Sequence, residues 1–212
     1  MFGTHDLWLF VLSGLLLSIT PGPDTLYIVG RSATQGRRAG AVAALGVGAG
    51  TLVHISAAAL GLSAILAASA AAFTALKIAG AAYLLYVGVT LILSARVAGP
   101  SAGTAAVRPA SIRGIFVQGF LTNVLNPKVA LFFLAFLPQF VASDASSKPL
   151  AFLFLGAVFD FNGTLWNLLV AWSSAHLSRR LSPGGAFKQW FNRSVGAAFI
   201  LIGVRLALTY EH

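Results

Sequence analysis

The 212-residue sequence has no cysteine, and acidic residues are almost as scarce, five in all. The first absence removes disulfides, thiolate metal centres and cysteine-based catalysis. The second belongs to a wider shortage: only 9% of residues are charged, against about 25% in soluble domains. Apolar residues take up the space, 58% of the chain, with a mean hydropathy of +0.85. That balance describes an integral membrane protein with one membrane domain over residues 1–212, not a soluble globule. The formal charge of +9 would suggest nucleic-acid binding in a soluble protein. In a membrane protein it is explained by basic residues gathering in cytoplasmic loops, so no nucleic-acid partner is expected. Met1 to Asp6 carries no Lys or Arg, and no small-residue cleavage site follows. A signal peptide needs both, and the first apolar run is expected to be a retained helix.

A membrane span needs roughly 17–25 mostly apolar residues. Six segments qualify, at about 7–30, 39–66, 70–94, 114–140, 150–175 and 191–208. The longest polar connection, 95–113, falls at the midpoint and has the Ala, Ser, Gly, Pro and Arg composition of a flexible linker. Lys and Arg are distributed unevenly. Ten of them follow the first, third and fifth spans (Arg31, Arg37, Arg38, Arg96, Arg108, Arg113, Arg179, Arg180, Lys188 and Arg193), and the alternate loops hold only Lys77 and Lys148. The positive-inside rule then puts the basic loops in the cytoplasm and both termini outside. With three spans per half, the second half enters the membrane inverted. Weak internal similarity agrees: Lys77 to Tyr83 reads like Arg193 to Phe199, and Leu17 to Asp24 sits over Leu121 to Lys128. The expected architecture is all-α: six transmembrane helices in two inverted three-helix repeats, about 7–94 and 114–208, with the first and fourth helices broken.

The breaks are Gly22-Pro23-Asp24 and Asn126-Pro127-Lys128, at matching places in the two halves and with opposite charges. Proline within a helix lacks a donor and clashes with the carbonyl four residues back, so Pro23 would free the carbonyl of Ile19 and Pro127 that of Asn123. Proline also suits the first position of a new helix behind a capping residue. Gly22 and Asn126 are then caps, and Asp24 and Lys128 are second residues beside a positive dipole end. A charge at a helix centre in a bilayer costs roughly 2.5–3.5 kcal/mol on insertion scales. Lys128 therefore needs compensation, from Asp24, Asp160 or the carboxylate of a bound substrate. Interrupted helices at equivalent places in two halves point to a transporter's substrate site. The candidate binding residues are Gly22, Pro23, Asp24, Asn123, Asn126, Pro127 and Lys128. The candidates for carrying a coupling proton are Asp24, Asp160 and His54. The other readings are packing kinks with a structural charge pair, and a hydrogen-bonded or packed role for Asp160 and His54. Gly46, Gly48 and Gly50 are expected to allow close helix packing.

The same residues carry a resemblance. Thr20-Pro21-Gly22-Pro23-Asp24, the basic turn Gly36-Arg37-Arg38-Ala39-Gly40 and Asn123-Val124-Leu125-Asn126-Pro127-Lys128 resemble the LysE/RhtB amino-acid exporter family. Gly80-Ala81-Ala82-Tyr83-Leu84 and Gly203-Val204-Arg205-Leu206-Ala207-Leu208 are similar to it too, so the likeness spans nearly the whole chain. It implies a small carrier of the bacterial inner membrane that exports amino acids or their derivatives, in exchange for protons and without a cofactor. Two other classes compete. A passive channel or permease would share the composition. An intramembrane enzyme would need a nucleophile with its base, paired carboxylates or a metal-ligand cluster. Only His54 of the four histidines lies deep in a span, and neither an enzyme nor a metal site is expected. No motif specifies the amino acid carried or an oligomeric state.

Overall fold

The computed structural model describes residues 2–62 and 109–177, with single helical positions at intervals between 75 and 93 and between 193 and 204. Most of the expected third and sixth spans, most of the 95–113 linker, and Arg205 lie outside the described residues. The regular secondary structure of those described is helical, apart from one isolated antiparallel bridge between Thr4 and Val141. In order they form α1 (Leu7–Ile19), α2 (Pro23–Ala57) with a π-helical end (Ala58–Leu62), α3 (Ile112–Val124), α4 (Pro127–Leu131) and α5 (Lys148–Leu177). A π turn (Phe132–Phe136) and a 3-10 turn (Leu137–Phe140) continue α4. Among the described residues two helices are long and apolar enough to cross a membrane, or three if the pair 112–124 and 127–140, bent by 46°, counts as one span.

Each break follows from its prolines. A residue before proline is driven out of helical geometry. Thr20 before Pro21 (ψ 120°), Gly22 before Pro23 (ψ −175°) and Asn126 before Pro127 (ψ 108°) are all extended. Pro23 and Pro127 then open the next helices with Gly22 and Asn126 as caps.

α2 is folded back on itself at Gly36, whose φ of 84° and ψ of −179° are not helical. Contacts with α3 and with Ala110 just before it give the direction of each arm. Going up α3, Gln35 meets Ala110, Arg31 and Tyr27 meet Gln118, and Asp24 meets Asn123. Gly46 meets Phe116, Gly50 meets Phe120, and His54 meets Asn123. Numbers fall along one arm and rise along the other, so 23–35 and 37–57 are antiparallel arms of a hairpin. Only glycine adopts the Gly36 conformation readily, and a side chain there costs about 1–3 kcal/mol. Among the described residues no atom lies within 4 Å of a Cβ built at Gly36, so the penalty there is backbone strain. Gly36→Ala is expected to lower stability by about that amount, measured as unfolding of the detergent-solubilised protein.

Small residues let the hairpin sit tightly on α3. A Cβ at Gly46 would collide with the Phe116 carbonyl, and one at Gly50 would lie 2.7 Å from that of Phe120. On α3, a Cβ at Gly119 would lie 2.7 Å from the Ala43 carbonyl. Backbone-to-backbone approach of this kind provides dispersion contact where lipid gives no hydrophobic drive. Arg31 belongs here rather than in a loop. It is buried, donates to Gln35 (2.7 Å) and Gln118 (2.6 Å), and lies over the Tyr27 ring. The other core is aromatic. Phe10, Phe132, Phe136 and Phe140 pack between α1 and the α4 continuation, and Phe159 of α5 stacks on Phe132 at 4.8 Å.

Candidate functional site

The two breaks lie side by side, and each charge is held by the opposite break. Asp24, on the first turn of α2, is 9% exposed. Its Oδ2 accepts from the side-chain amides of Asn123 and Asn126, both at 2.9 Å, where α3 ends. Lys128, on the first turn of α4, donates from Nζ to the carbonyls of Leu17 and Thr20, both at 2.9 Å, where α1 ends. Carbonyls released by a break must find a donor in a membrane interior, and the ammonium supplies it. Gly22 makes room: a Cβ there would lie 3.2 Å from Lys128 Nζ. No ion pair joins Asp24 to Lys128 among the described residues.

These contacts add to the compensation expected from sequence. Backbone carbonyls of the first break meet Lys128, an option absent from the set of Asp24, Asp160 and substrate. The Asn123 carbonyl, expected to be freed by Pro127, accepts from the Asn126 N–H at 2.9 Å and contacts His54 Nε2 at 3.1 Å. The α4 start is capped by Asn126 Oδ1, which accepts from the Lys128 N–H at 3.0 Å. At the α2 start Gly22 offers no side-chain cap.

A cavity of about 40 Å³ opens beside this clasp, enough for water-sized groups. Asp24, Asn123 and Lys128 line it, and Asp160 faces it from α5. Asp24 Oδ1 is buried and has no hydrogen-bond partner among the described residues. Asp160 Oδ1 accepts from Thr164 at 3.4 Å, and a Cβ at Gly48 would come within 3.4 Å of the same oxygen. Gly22, Pro23, Asn126 and Pro127 shape the breaks behind the wall. His54 also lies off the wall, stacked on Phe133 with ring centroids 5.9 Å apart. Sequence reasoning did not single out Leu17, Ser18, Thr25 and Thr51, which complete much of the lining. For Thr51 a signal existed: it lies three residues before His54, on the same helix face. Among the described residues no group of three His, Cys, Asp or Glu side chains could hold a metal ion.

Residues 15–210 match the family of LysE type translocators. The chain belongs to that family. The translocator is 32% identical over 217 residues to an uncharacterized membrane protein of Pseudomonas aeruginosa, covering 97% of this chain and 96% of the relative. It is 27% identical over 206 residues to a leucine efflux protein of an Enterobacter species, covering 97% of each. An uncharacterized membrane protein of Bacillus subtilis is 26% identical, covering 97% of this chain and all of the relative. No solved structure matches. The protein is a membrane transporter and not an enzyme: it moves a solute and leaves the solute's bonds intact.

Proposed function

We propose that this translocator exports amino acids or amino-acid derivatives across the bacterial inner membrane, with Asp24 and Lys128 at one substrate site. The observation that carries the reading is the exchange of charges between the breaks, which leaves one Asp24 oxygen beside the cavity without a partner among the described residues. An amino acid carries one ammonium and one carboxylate. The ammonium suits Asp24 Oδ1, and the carboxylate suits the uncapped start of α2 with Lys128 close by. Leu17, Val47, Val129 and Phe159 give the cavity an apolar wall, which fits a neutral side chain and agrees with the leucine efflux relatives.

The proposal includes the six-span architecture of two inverted repeats in one membrane domain, with both termini outside. The charged side chain of each described break reaches across to the other, Asp24 to the end of α3 and Lys128 to the end of α1, which supports a pseudo-twofold relation. A cavity of water-sized capacity must widen to admit an amino acid, and rocking of the two halves about the clasp would open it to each side in turn. Asp160, Asp24 or His54 carries the exchanged proton. Asp160 is the strongest of the three, because its carboxylate faces the cavity and, among the described residues, meets only a long contact from Thr164.

Two measurements test the function. A strain expressing the protein should gain resistance to, and export, some members of a panel of amino acids and dipeptides, while an Asp24→Asn strain should not. In inside-out vesicles an imposed pH gradient should accelerate uptake and drive accumulation. Transport that only equilibrates its solute and ignores the gradient would favour a passive permease.

A further inference from the structure

We infer that Thr51 is a positioning residue for this site, acting through Asn123; the inference rests on the reading of Asp24 as the substrate's partner. One helical turn of the second α2 arm cradles Asn123 on three sides. Gly50 leaves room for it, since a Cβ there would lie 2.8 Å from Asn123 Cβ and 3.1 Å from its Oδ1. The Thr51 hydroxyl lies 3.3 Å from Asn123 Oδ1 and 3.3 Å from the Val47 carbonyl. His54 Nε2 lies 3.1 Å from the Asn123 carbonyl, and because a carbonyl only accepts, that nitrogen carries the hydrogen.

The consequence is a fixed amide orientation. An ionised carboxylate only accepts, so the Asn123 NH₂ must face Asp24 Oδ2, and the Asn123 oxygen is then directed at Thr51. A hydroxyl donor at 51 favours this rotamer over the flipped one, which would set the amide oxygen against the carboxylate. Two amides on Oδ2 hold the carboxylate so that Oδ1 stays available. Thr51 thus sets the partner of the proposed ammonium contact from outside that contact, and His54 braces the same residue through its backbone.

The test uses inside-out vesicles and a labelled equimolar mixture of the twenty standard amino acids, with vesicle-embedded protein quantified for every variant. Thr51→Val keeps the shape and removes the hydroxyl. It should raise the half-saturating concentration about 3- to 10-fold, the range of one net hydrogen bond, and change the maximal rate less. Thr51→Ser should return it to within about 2-fold of the parent. In an Asn123→Ala background Thr51→Val should add nothing, because the two residues act as one unit. An unchanged value in Thr51→Val, or full additivity with Asn123→Ala, would overturn the positioning role. Normal uptake by Asp24→Asn, or none by the parent protein, would instead overturn the site reading beneath it.

Discussion

Asp24→Asn is expected to abolish export while the protein inserts and folds as before. Asparagine has the shape of aspartate, and its carbonyl oxygen can accept from Asn123 and Asn126 as Oδ2 does now. The clasp between the breaks therefore survives. The charge is lost, and the position of Oδ1, now without a partner among the described residues, is filled by an NH₂ that repels a substrate ammonium. A hydrogen bond to a charged group contributes about 1.5–3 kcal/mol, or roughly 10- to 100-fold in affinity. Loss of a coupling proton on the same carboxylate would deepen the defect. The check is an export assay beside a melting curve in detergent. Near-parental melting with transport at background is the expected pair of results.

Lys128→Met should lose both transport and stability. Methionine keeps most of the stem but offers no donor to the Leu17 and Thr20 carbonyls that Nζ now meets. Leaving a buried acceptor without a partner costs about 1–3 kcal/mol, and the neighbouring cavity can soften that by admitting water to one of them. A fall of that size in unfolding free energy is expected, with export at background. The contrast with Asp24→Asn is informative. One charge can go with its hydrogen bonds preserved; the other ties down the end of α1. Lys128→Arg should rescue poorly, because the Gly22 backbone lies against the ammonium and leaves little space for a guanidinium.

What could be read from the chain follows the range of the forces involved. The breaks at Pro23 and Pro127 were legible because proline acts within four residues of itself, and so were the caps at Gly22 and Asn126. The close packing at Gly46 and Gly50 was legible because a missing Cβ at helical spacing has few other uses. Less visible was where each charge is satisfied. That Lys128 reaches the Leu17 and Thr20 carbonyls depends on two helix ends meeting more than a hundred residues apart in sequence. No local pattern encodes that meeting. Arg31 was counted among the loop cations, because position relative to an apolar run says nothing of a partner such as Gln118. Thr51 was passed over although it shares a helix face with His54, because a threonine in an apolar helix reads as a self-bonded hydroxyl until Asn123 is placed beside it.

The central claim is that Asp24 recognises the ammonium of an amino acid at the paired breaks. It is tested most directly by equilibrium binding of the best-exported amino acid and its N-acetyl derivative to the purified parent protein and to Asp24→Asn. The account predicts that the parent binds the free amino acid about 10- to 100-fold more tightly than the acetylated one, and that Asp24→Asn erases the preference while binding the acetylated form as the parent does. A variant that weakens both ligands equally, or that keeps the preference, would contradict it.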